Sequence, residues 1–281
     1  MIRLLLTAAL FITCFASCKK DDGPQGERAF STMEPQNDRG LKTSSYSYDR
    51  RNRVAIFQTS DITAEDFHSE MIRFDTAGKI SFTYVSNELG SVGAKAKEVE
   101  YDAEGRVGKV ILFSSYSGLK DGYDSLAYDN ANKIVGIYHY EIDGVIAPYL
   151  LTRKDLMVRD ARGRVTDRRE IPVYRNTEST RITTITYTYD EKPNYKGASF
   201  THFIFDTEES AGWMSSNNVL TKTTQYPDGS VQTITNSYTY DGDSFATSVN
   251  QNEQLTRGGT MVSNKTTSYN LKYTFLLPSD L

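Results

Sequence analysis

Apolar and polar residues alternate with a period of two along much of this chain. In Ile185-Thr186-Tyr187-Thr188-Tyr189 the odd positions are apolar and the even ones are Thr. Ile234-Thr235-Asn236-Ser237-Tyr238-Thr239-Tyr240 and Ile80-Ser81-Phe82-Thr83-Tyr84 repeat the arrangement. Successive side chains of a strand point to opposite faces, so each run predicts an antiparallel strand with one dry and one hydroxylated face. Long Leu/Ala-rich amphipathic runs are missing, and no window carries a helical period. The pattern predicts an all-β chain, a long antiparallel meander of roughly sixteen strands.

A short phrase punctuates the meander five times: aromatic, Asp, two free positions, Gly or Asn, a cation, then Val or Ile. The copies run Tyr48–Val54, Phe74–Ile80, Tyr101–Val107, Tyr128–Ile134 and Arg159–Val165, the last with Arg in the aromatic slot. A repeat of this kind sets the architecture. The Asp side chain can bond backbone N–H groups two residues on and start a turn. Gly or Asn three residues later suits a left-handed backbone position. A type I turn followed by such a residue closes a short β-hairpin loop. Asp49 and Asn52, Asp75 and Gly78, Asp102 and Gly105, Asp129 and Asn132, and Asp160 and Gly163 are therefore read as hairpin closures, rather than as a row of ligands.

The phrases recur at intervals of 26–31 residues, room for two strands and two connections. One edge of the sheet should carry uniform turns and the other variable loops, where function is expected. After Tyr189-Asp190 the pattern loosens, and a long insertion from Asp206 to Asn218 carries the only tryptophan, Trp213. Regularity resumes at Tyr226-Pro227-Asp228-Gly229-Ser230, and Tyr240-Asp241-Gly242-Asp243-Ser244-Phe245 is a decayed phrase. A meander of this length must manage its edges, by rolling into a barrel or a closed twisted sheet. A barrel of about sixteen strands is too wide for its own side chains to fill, and the insertion is long enough to plug or cap it. The runs are mostly shorter than the roughly 9–11 residues of a bilayer-spanning strand.

The N-terminus reads as a processing signal. Met1-Ile2-Arg3 precedes an apolar run, Leu4 to Ala16, which ends at Phe15-Ala16-Ser17-Cys18. This resembles a bacterial lipobox, which implies a signal peptide over 1–17 and a membrane anchor through acylated Cys18. Cys14 would leave with the signal, so the mature chain holds no other thiol. Lys19-Lys20-Asp21-Asp22 resembles the export tags of Bacteroidota surface lipoproteins. Residues 18–40 read as a flexible tether, rich in Gly and Pro, and 41–281 as a single β-meander domain.

Candidate chemistry is sparse. The net charge of −4 gives no basic footprint for nucleic acid. His68, His139 and His202 are far apart and without Cys partners, which predicts half-exposed strand residues and no metal site. No nucleophile elbow, P-loop or dinucleotide fingerprint occurs, and no cofactor is implied. Asp121-Gly122-Tyr123-Asp124 and Asp241-Gly242-Asp243-Ser244 read as turns. Trp213, in a Gly/Ser-rich stretch, is the candidate ligand contact, since an indole can stack on a sugar ring or fill a partner's pocket.

The Tyr-Asp-x-x-Gly-Arg-Val phrase resembles the YD repeat of Rhs-type proteins, which builds hollow β-sheet shells. The chain is also similar to a group of Bacteroidota envelope lipoproteins of unknown function with a porin-like β-barrel domain. That likeness runs from the lipobox through the Tyr-Asp repeats to Ser216-Asn217-Asn218-Val219-Leu220, the Pro-Asp-Gly hairpin and the Tyr-Thr-Tyr-Asp ending. It implies a barrel at the outer membrane and carries no catalytic residue. The resulting expectation is a non-enzymatic, lipid-anchored envelope protein. It would bind or scaffold a glycan, a small apolar ligand or an envelope partner. The alternatives are a carboxylate-dependent glycoside hydrolase and a purely structural β-shell.

Overall fold

The computed structural model describes residues 28–36, 42–51, 53–60, 67–87, 93–142, 148–196, 204 and 214–276. The first nine strands are β1 (Arg28–Pro35), β2 (Thr43–Tyr48), β3 (Val54–Ser60), β4 (His68–Phe74), β5 (Ile80–Ser86), β6 (Ala94–Tyr101), β7 (Val107–Phe113), β8 (Lys120–Tyr128) and β9 (Ile134–Ile142). The rest are β10 (Tyr149–Arg159), β11 (Val165–Tyr174), β12 (Thr177–Glu178), β13 (Thr183–Pro193), β14 (Asn217–Gln225), β15 (Val231–Tyr240), β16 (Ala246–Arg257) and β17 (Thr260–Phe275). The meander is antiparallel throughout. β1 pairs with β2 and also with β17, from Arg28↔Phe275 to Pro35↔Tyr269, which closes the sheet on itself. The two-residue β12 sits against the end of β11, and β11 pairs onward to β13, so the closed wall has sixteen strands. Closure removes the two edges an open meander would expose.

β1 differs from the sequence reading, which has residues 18–40 as tether and the body starting near Leu41. Arg28–Pro35 is the strand that completes the barrel. Its polar composition conceals it. Phe30 is buried and Met33 packs beside it, while neighbours on both sides supply backbone partners whatever the side chains are. β5 departs as well. A register shift at Ile80 turns Phe82 and Tyr84 outward and puts Thr83, opposite Ile72, into the interior. The expected single face of Ile80, Phe82 and Tyr84 is thereby split. Asp121–Asp124 is strand rather than turn. A side chain at Gly122 would meet the Tyr140 carbonyl at 2.3 Å, so the glycine permits a close approach of β8 to β9.

The phrase builds one end of the barrel. In each loop the Asp N–H donates to the carbonyl of the cation four residues on, as in Asp102 N to Arg106 O at 2.8 Å. The Asp carboxylate then accepts N–H groups inside its own loop; Asp129 Oδ1 takes those of Ala131 (2.9 Å) and Lys133 (2.8 Å). Gly105 (φ 77°) and Asn132 (φ 58°) occupy the left-handed position, as do Gly78 and Gly163. Asn52 lies outside the described residues. Just before each loop the register shifts by one residue, so that Tyr48 faces Val54, Tyr101 faces Val107 and Tyr128 faces Ile134. Such bulges add twist and bend, and here they recur at a regular interval around the wall.

The bulge aims the aromatic slot at the preceding hairpin. Tyr101 Oη donates to the Ile80 carbonyl (2.9 Å), Tyr128 to Val107 (2.9 Å) and Tyr189 to Val165 (2.5 Å). Each acceptor is the residue that closes the previous phrase. Arg159 makes the same connection through Nη2, to Ile134 at 2.9 Å. Tyr48 to Phe30 (2.6 Å) and Tyr273 to Ala246 (2.7 Å) carry the contact to either side of the closing strand. Where the next phrase has a ring, the cation of the phrase before lies over it. Arg53 is 3.6 Å from the Phe74 centroid, Lys79 is 4.6 Å from Tyr101, and Arg106 is 4.6 Å from Tyr128. Replacing Tyr128 by Phe should keep the packing and remove one such bond, lowering urea stability by about 1 kcal/mol. An unchanged denaturation midpoint would mean that the hydroxyl contact contributes nothing.

Candidate functional site

Wall side chains alone do not fill the interior. Two apolar clusters line it. One includes Ile72, Val110, Ile137, Val165 and Ile185, and the other includes Phe30, Tyr46, Val54, Val249 and Leu271. Described residues between β13 and β14 complete both. Ile204 is fully buried in the first cluster, where Met214 also packs. The Tyr195 ring meets Phe30 edge-on at 5.0 Å and lies 6.0 Å from Tyr238. The connection leaves from the position where a sixth regular turn would stand. Asn218, buried, donates to Asp190 from its backbone N (3.1 Å) and from Nδ2 (3.0 Å), and its Oδ1 accepts the Tyr195 N–H at 2.8 Å. Tyr240 Oη also donates to Asp190. Lys97 Nζ, reaching in from β6, donates to the Ile204 carbonyl at 2.5 Å.

A cavity of about 250 Å³ remains between Asn194-Tyr195-Lys196 and the wall strands β13–β16, with Met33 of β1 on its rim. Tyr187, Tyr195 and Tyr238 supply rings, Asn194, Asn236 and Gln251 amides, and Lys196 and Lys222 ammonium groups. Internal hydrogen bonds hold several of these. Tyr238 Oη and Asn236 Nδ2 both donate to the Val219 carbonyl (3.0 and 2.9 Å), and Gln251 Nε2 donates to Asn236 Oδ1 at 3.2 Å. Asn194 Nδ2 donates to the Ser215 carbonyl at 2.9 Å. Burial pushes the Tyr238 phenol up, so it stays a neutral donor. An apolar-walled space with a few oriented polar groups is the usual chemistry of a small-ligand site.

A second polar group lies inside the wall of β8–β11. His139 Nδ1 is 2.6 Å from Asp124 Oδ1, and Nε2 is 2.9 Å from Asp155 Oδ2. Arg168, fully buried, donates to Asp155 at 2.7 Å and reaches Glu170 at 3.1 Å. Burial alone would lower the His139 pKa; the carboxylates of Asp124 and Asp155 outweigh it and hold the imidazole up at about 9. Burial would raise Asp155, but His139, Arg168 and Arg153 keep it below the usual carboxylate range. A third buried carboxylate, Glu70, accepts from Thr83 Oγ1 (2.6 Å) and Lys97 Nζ (3.1 Å). Every buried carboxylate among the described residues therefore has a cationic partner, which is the arrangement of a structural clamp.

The turn residues sit on the uniform edge, and each Asp spends its carboxylate within its own loop. No group of His, Cys, Asp and Glu suited to a metal ion occurs among the described residues. His68 bonds Asn87 near the surface, at 3.2 Å. His139 is a partly buried residue of strand β9; its two acids lie on the neighbouring strands β8 and β10, and sequence spacing does not reveal that meeting. Cys18, Trp213 and His202 lie outside the described residues. Lys222, Asn236 and Gln251 had no signal beyond inward alternation on β14–β16, and Asn194 and Lys196, in the segment after β13, had none. Since His139 is raised above its unfolded value of about 6.5, its stabilisation is complete below that pH and is lost as pH climbs through 9. Urea stability should fall across this window by on the order of 3 kcal/mol, and His139→Gln should flatten the slope. A wild-type slope retained in that variant would remove the clamp from the account.

No protein-family model matches the chain, and no curated protein sequence matches it. Among solved structures it is similar to a porin-like protein from Bacteroides uniformis, at 12% identity over 87% of this chain and 96% of that one, with a TM-score of 0.55. A porin-like protein from Bacteroides vulgatus aligns at 10% identity over 88% of this chain and 99% of that one, with a TM-score of 0.37. At 12% identity, the likeness to the Bacteroides uniformis structure is one of fold: a closed antiparallel barrel.

Proposed function

We propose that this protein is a non-enzymatic barrel of the bacterial outer membrane, anchored by lipid on Cys18, that holds a small ligand or glycan unit in its lumen. The observation that carries the reading is the cavity of about 250 Å³ bounded by Tyr187, Tyr195 and Tyr238 with oriented amides. Flat rings suit the C–H face of a sugar, and amides suit its hydroxyls. The retained cavity speaks against a purely structural shell. The cations on Glu70, Asp124 and Asp155 speak against a hydrolase that needs a raised carboxyl beside an ionised one.

The envelope location draws support from the lipobox and from the porin-like description of the Bacteroides uniformis protein. The wall polarity argues for a barrel held at the membrane rather than through it. A spanning barrel is apolar outside and polar inside. Here one outward row crosses five strands as Thr188, Thr221, Thr235, Asn252 and Thr266, while Ile185, Tyr187 and Ile234 face inward. Strand length does not decide the matter: β2 to β7 have six to eight residues, but β8 to β11 and β13 to β17 have 9 to 16, so the expectation of mostly short runs holds for the first part of the wall only. β1 begins at the uniform turn edge, ten residues after Cys18. A chain of that length reaches at most about 35 Å, which limits how far the turn edge stands from the bilayer.

Two measurements test the proposal. Cys18→Ala should move the protein from the membrane to the soluble fraction and abolish fatty-acid labelling. Continued membrane partition would remove the anchor. Screening the mature chain against glycan fragments and small ring compounds should find a ligand whose affinity falls about tenfold in Asn236→Ala, the cost of one lost hydrogen bond of roughly 1.4 kcal/mol. Turnover of a screened compound would overturn the non-enzymatic reading.

A further inference from the structure

We propose that the outer flank of β5–β10 is a lipid-docking face, which lies against the headgroups of the bilayer; the inference rests on the anchor in the reading above and goes beyond it. Ladder pairing sets the composition of this flank. Phe82, Glu98, Ile111, Tyr123, Tyr140 and Leu151 stand opposite one another on six consecutive strands. Phe82 is turned outward, and partners across an antiparallel ladder share a face, so the whole row is outward. Their chain neighbours Val110, Asp124 and His139 point into the lumen, as alternation requires. Further rings widen the row. Tyr123 stacks on Tyr140 with centroids 4.5 Å apart and 13° between planes, Tyr149 meets Tyr123 edge-on at 5.0 Å, and Tyr84 meets Phe82 edge-on at 5.2 Å. On β13–β17 the outward row is Thr188, Thr221, Thr235, Asn252 and Thr266. The wall therefore has an aromatic side and a hydroxylated side, and a contiguous outward apolar row marks a surface that meets something other than water.

The polar groups of the flank fit a headgroup layer rather than hydrocarbon. Lys95 Nζ is 2.8 Å from Glu98 and 4.6 Å from the Phe113 centroid, and Lys109 Nζ is 4.0 Å from Glu100 and 5.0 Å from the Tyr123 centroid. Each of these ammonium groups has an acid and a ring beside it, so attraction to anionic lipid is not what the flank offers. Rings with polar tips and paired ions settle at headgroup level, where apolar faces leave water while hydroxyls and ion pairs stay hydrated. The tether brings the lipid within reach. β1 begins ten residues after Cys18, so acylation holds its start within about 35 Å of the bilayer. Contact between wall and lipid is then intramolecular in effect, and a weak contact suffices. Phe82, Tyr123 and Tyr140 are each only partly exposed, so the flank orients an anchored barrel and does not hold an unanchored one. Docked on this side, the barrel lies with its axis along the membrane and both ends of its lumen in water.

The test maps which side of the anchored barrel meets lipid. With Cys18 acylated the mature chain has no other thiol, so a single introduced cysteine takes a fluorescent label specifically. Ser125→Cys places the label on the aromatic flank, between Lys109 and Tyr138, and Thr235→Cys places it on the hydroxylated flank. Each acylated, labelled chain is reconstituted into vesicles of phosphatidylcholine and phosphatidylethanolamine that contain a headgroup-nitroxide lipid. The label at 125 should lose fluorescence to the quencher and the label at 235 should keep it. Added salt should leave the contrast in place, and a nitroxide deep in the acyl chain should quench 125 less than the headgroup one. Tyr140→Ser combined with Leu151→Ser should reduce quenching at 125, with thermal denaturation matched to the parent establishing that the barrel is intact. Equal quenching at both positions, or none at either, in chains that float with the vesicles would overturn the docking face and leave the anchor standing. Self-quenching of the 125 label in detergent without lipid would assign the flank to a second copy of this chain and equally overturn the proposal. Failure of the acylated chain to float with vesicles would overturn both readings.

Discussion

The hydrogen bond from an aromatic-slot side chain to the carbonyl that closes the previous phrase is the contact on which this barrel is organised. A hairpin by itself is marginal in water, and a wide meander gains little from contacts within one hairpin. The Tyr101, Tyr128, Arg159 and Tyr189 contacts each tie one turn to the one before it, 21 to 25 residues back in sequence. The bulge before each turn makes the contact geometrically available, and the stacked cation covers the ring from the other side. Curvature, register and the dry packing of the turn edge thereby come from a single repeated device. Because Tyr48 and Tyr273 extend it to β1 and β16, the strand that closes the cylinder is held by the same chemistry as the rest.

Closure creates the second constraint, an interior too wide to fill from the wall. The chain meets it by replacing one turn with a connection whose described residues pack inward, Tyr195 against one apolar cluster and Ile204 and Met214 against the other. Filling is uneven. On the β4–β13 side the lumen is apolar near the turns, and the cluster around His139, Asp155 and Arg168 bridges strands β8 to β11. On the β13–β17 side a cavity remains, bounded by groups that internal hydrogen bonds already orient. Preorganisation of that kind lowers the ordering cost of binding a ligand. The scaffold and the candidate site are therefore separate parts of one solution: regular turns build the cylinder, and the irregular connection decides what space is left inside it.

How far the sequence carried depends on whether a feature is local. The Asp and Gly or Asn of each phrase, the two-residue alternation and the wide closed meander all follow from neighbours in the chain, and the structure contains the turns and the closed barrel. Several features were not legible for an equally physical reason. β1 has a linker's composition, yet backbone pairing on both sides makes it a strand. A register shift moves Thr83 inward and Phe82 outward, and no alternation rule encodes a bulge. His139 meets Asp124 and Asp155 only because antiparallel pairing sets β8, β9 and β10 side by side. The aromatic slot read as a strand former, while the role of its hydroxyl depends on a carbonyl more than twenty residues away.

The sequence by itself determined the repeating hairpin, the all-β class and the two faces of the Ile185–Tyr189 and Ile234–Tyr240 runs, because turn chemistry and the period of two act over a few residues. Tertiary structure alone decided that Arg28–Pro35 closes the barrel, that Tyr195, Ile204 and Met214 pack inward, and that Lys196 and Lys222 share a cavity with three tyrosines. Those outcomes depend on which residues face each other across a closed sheet, and that is set by register and circumference rather than by local order along the chain.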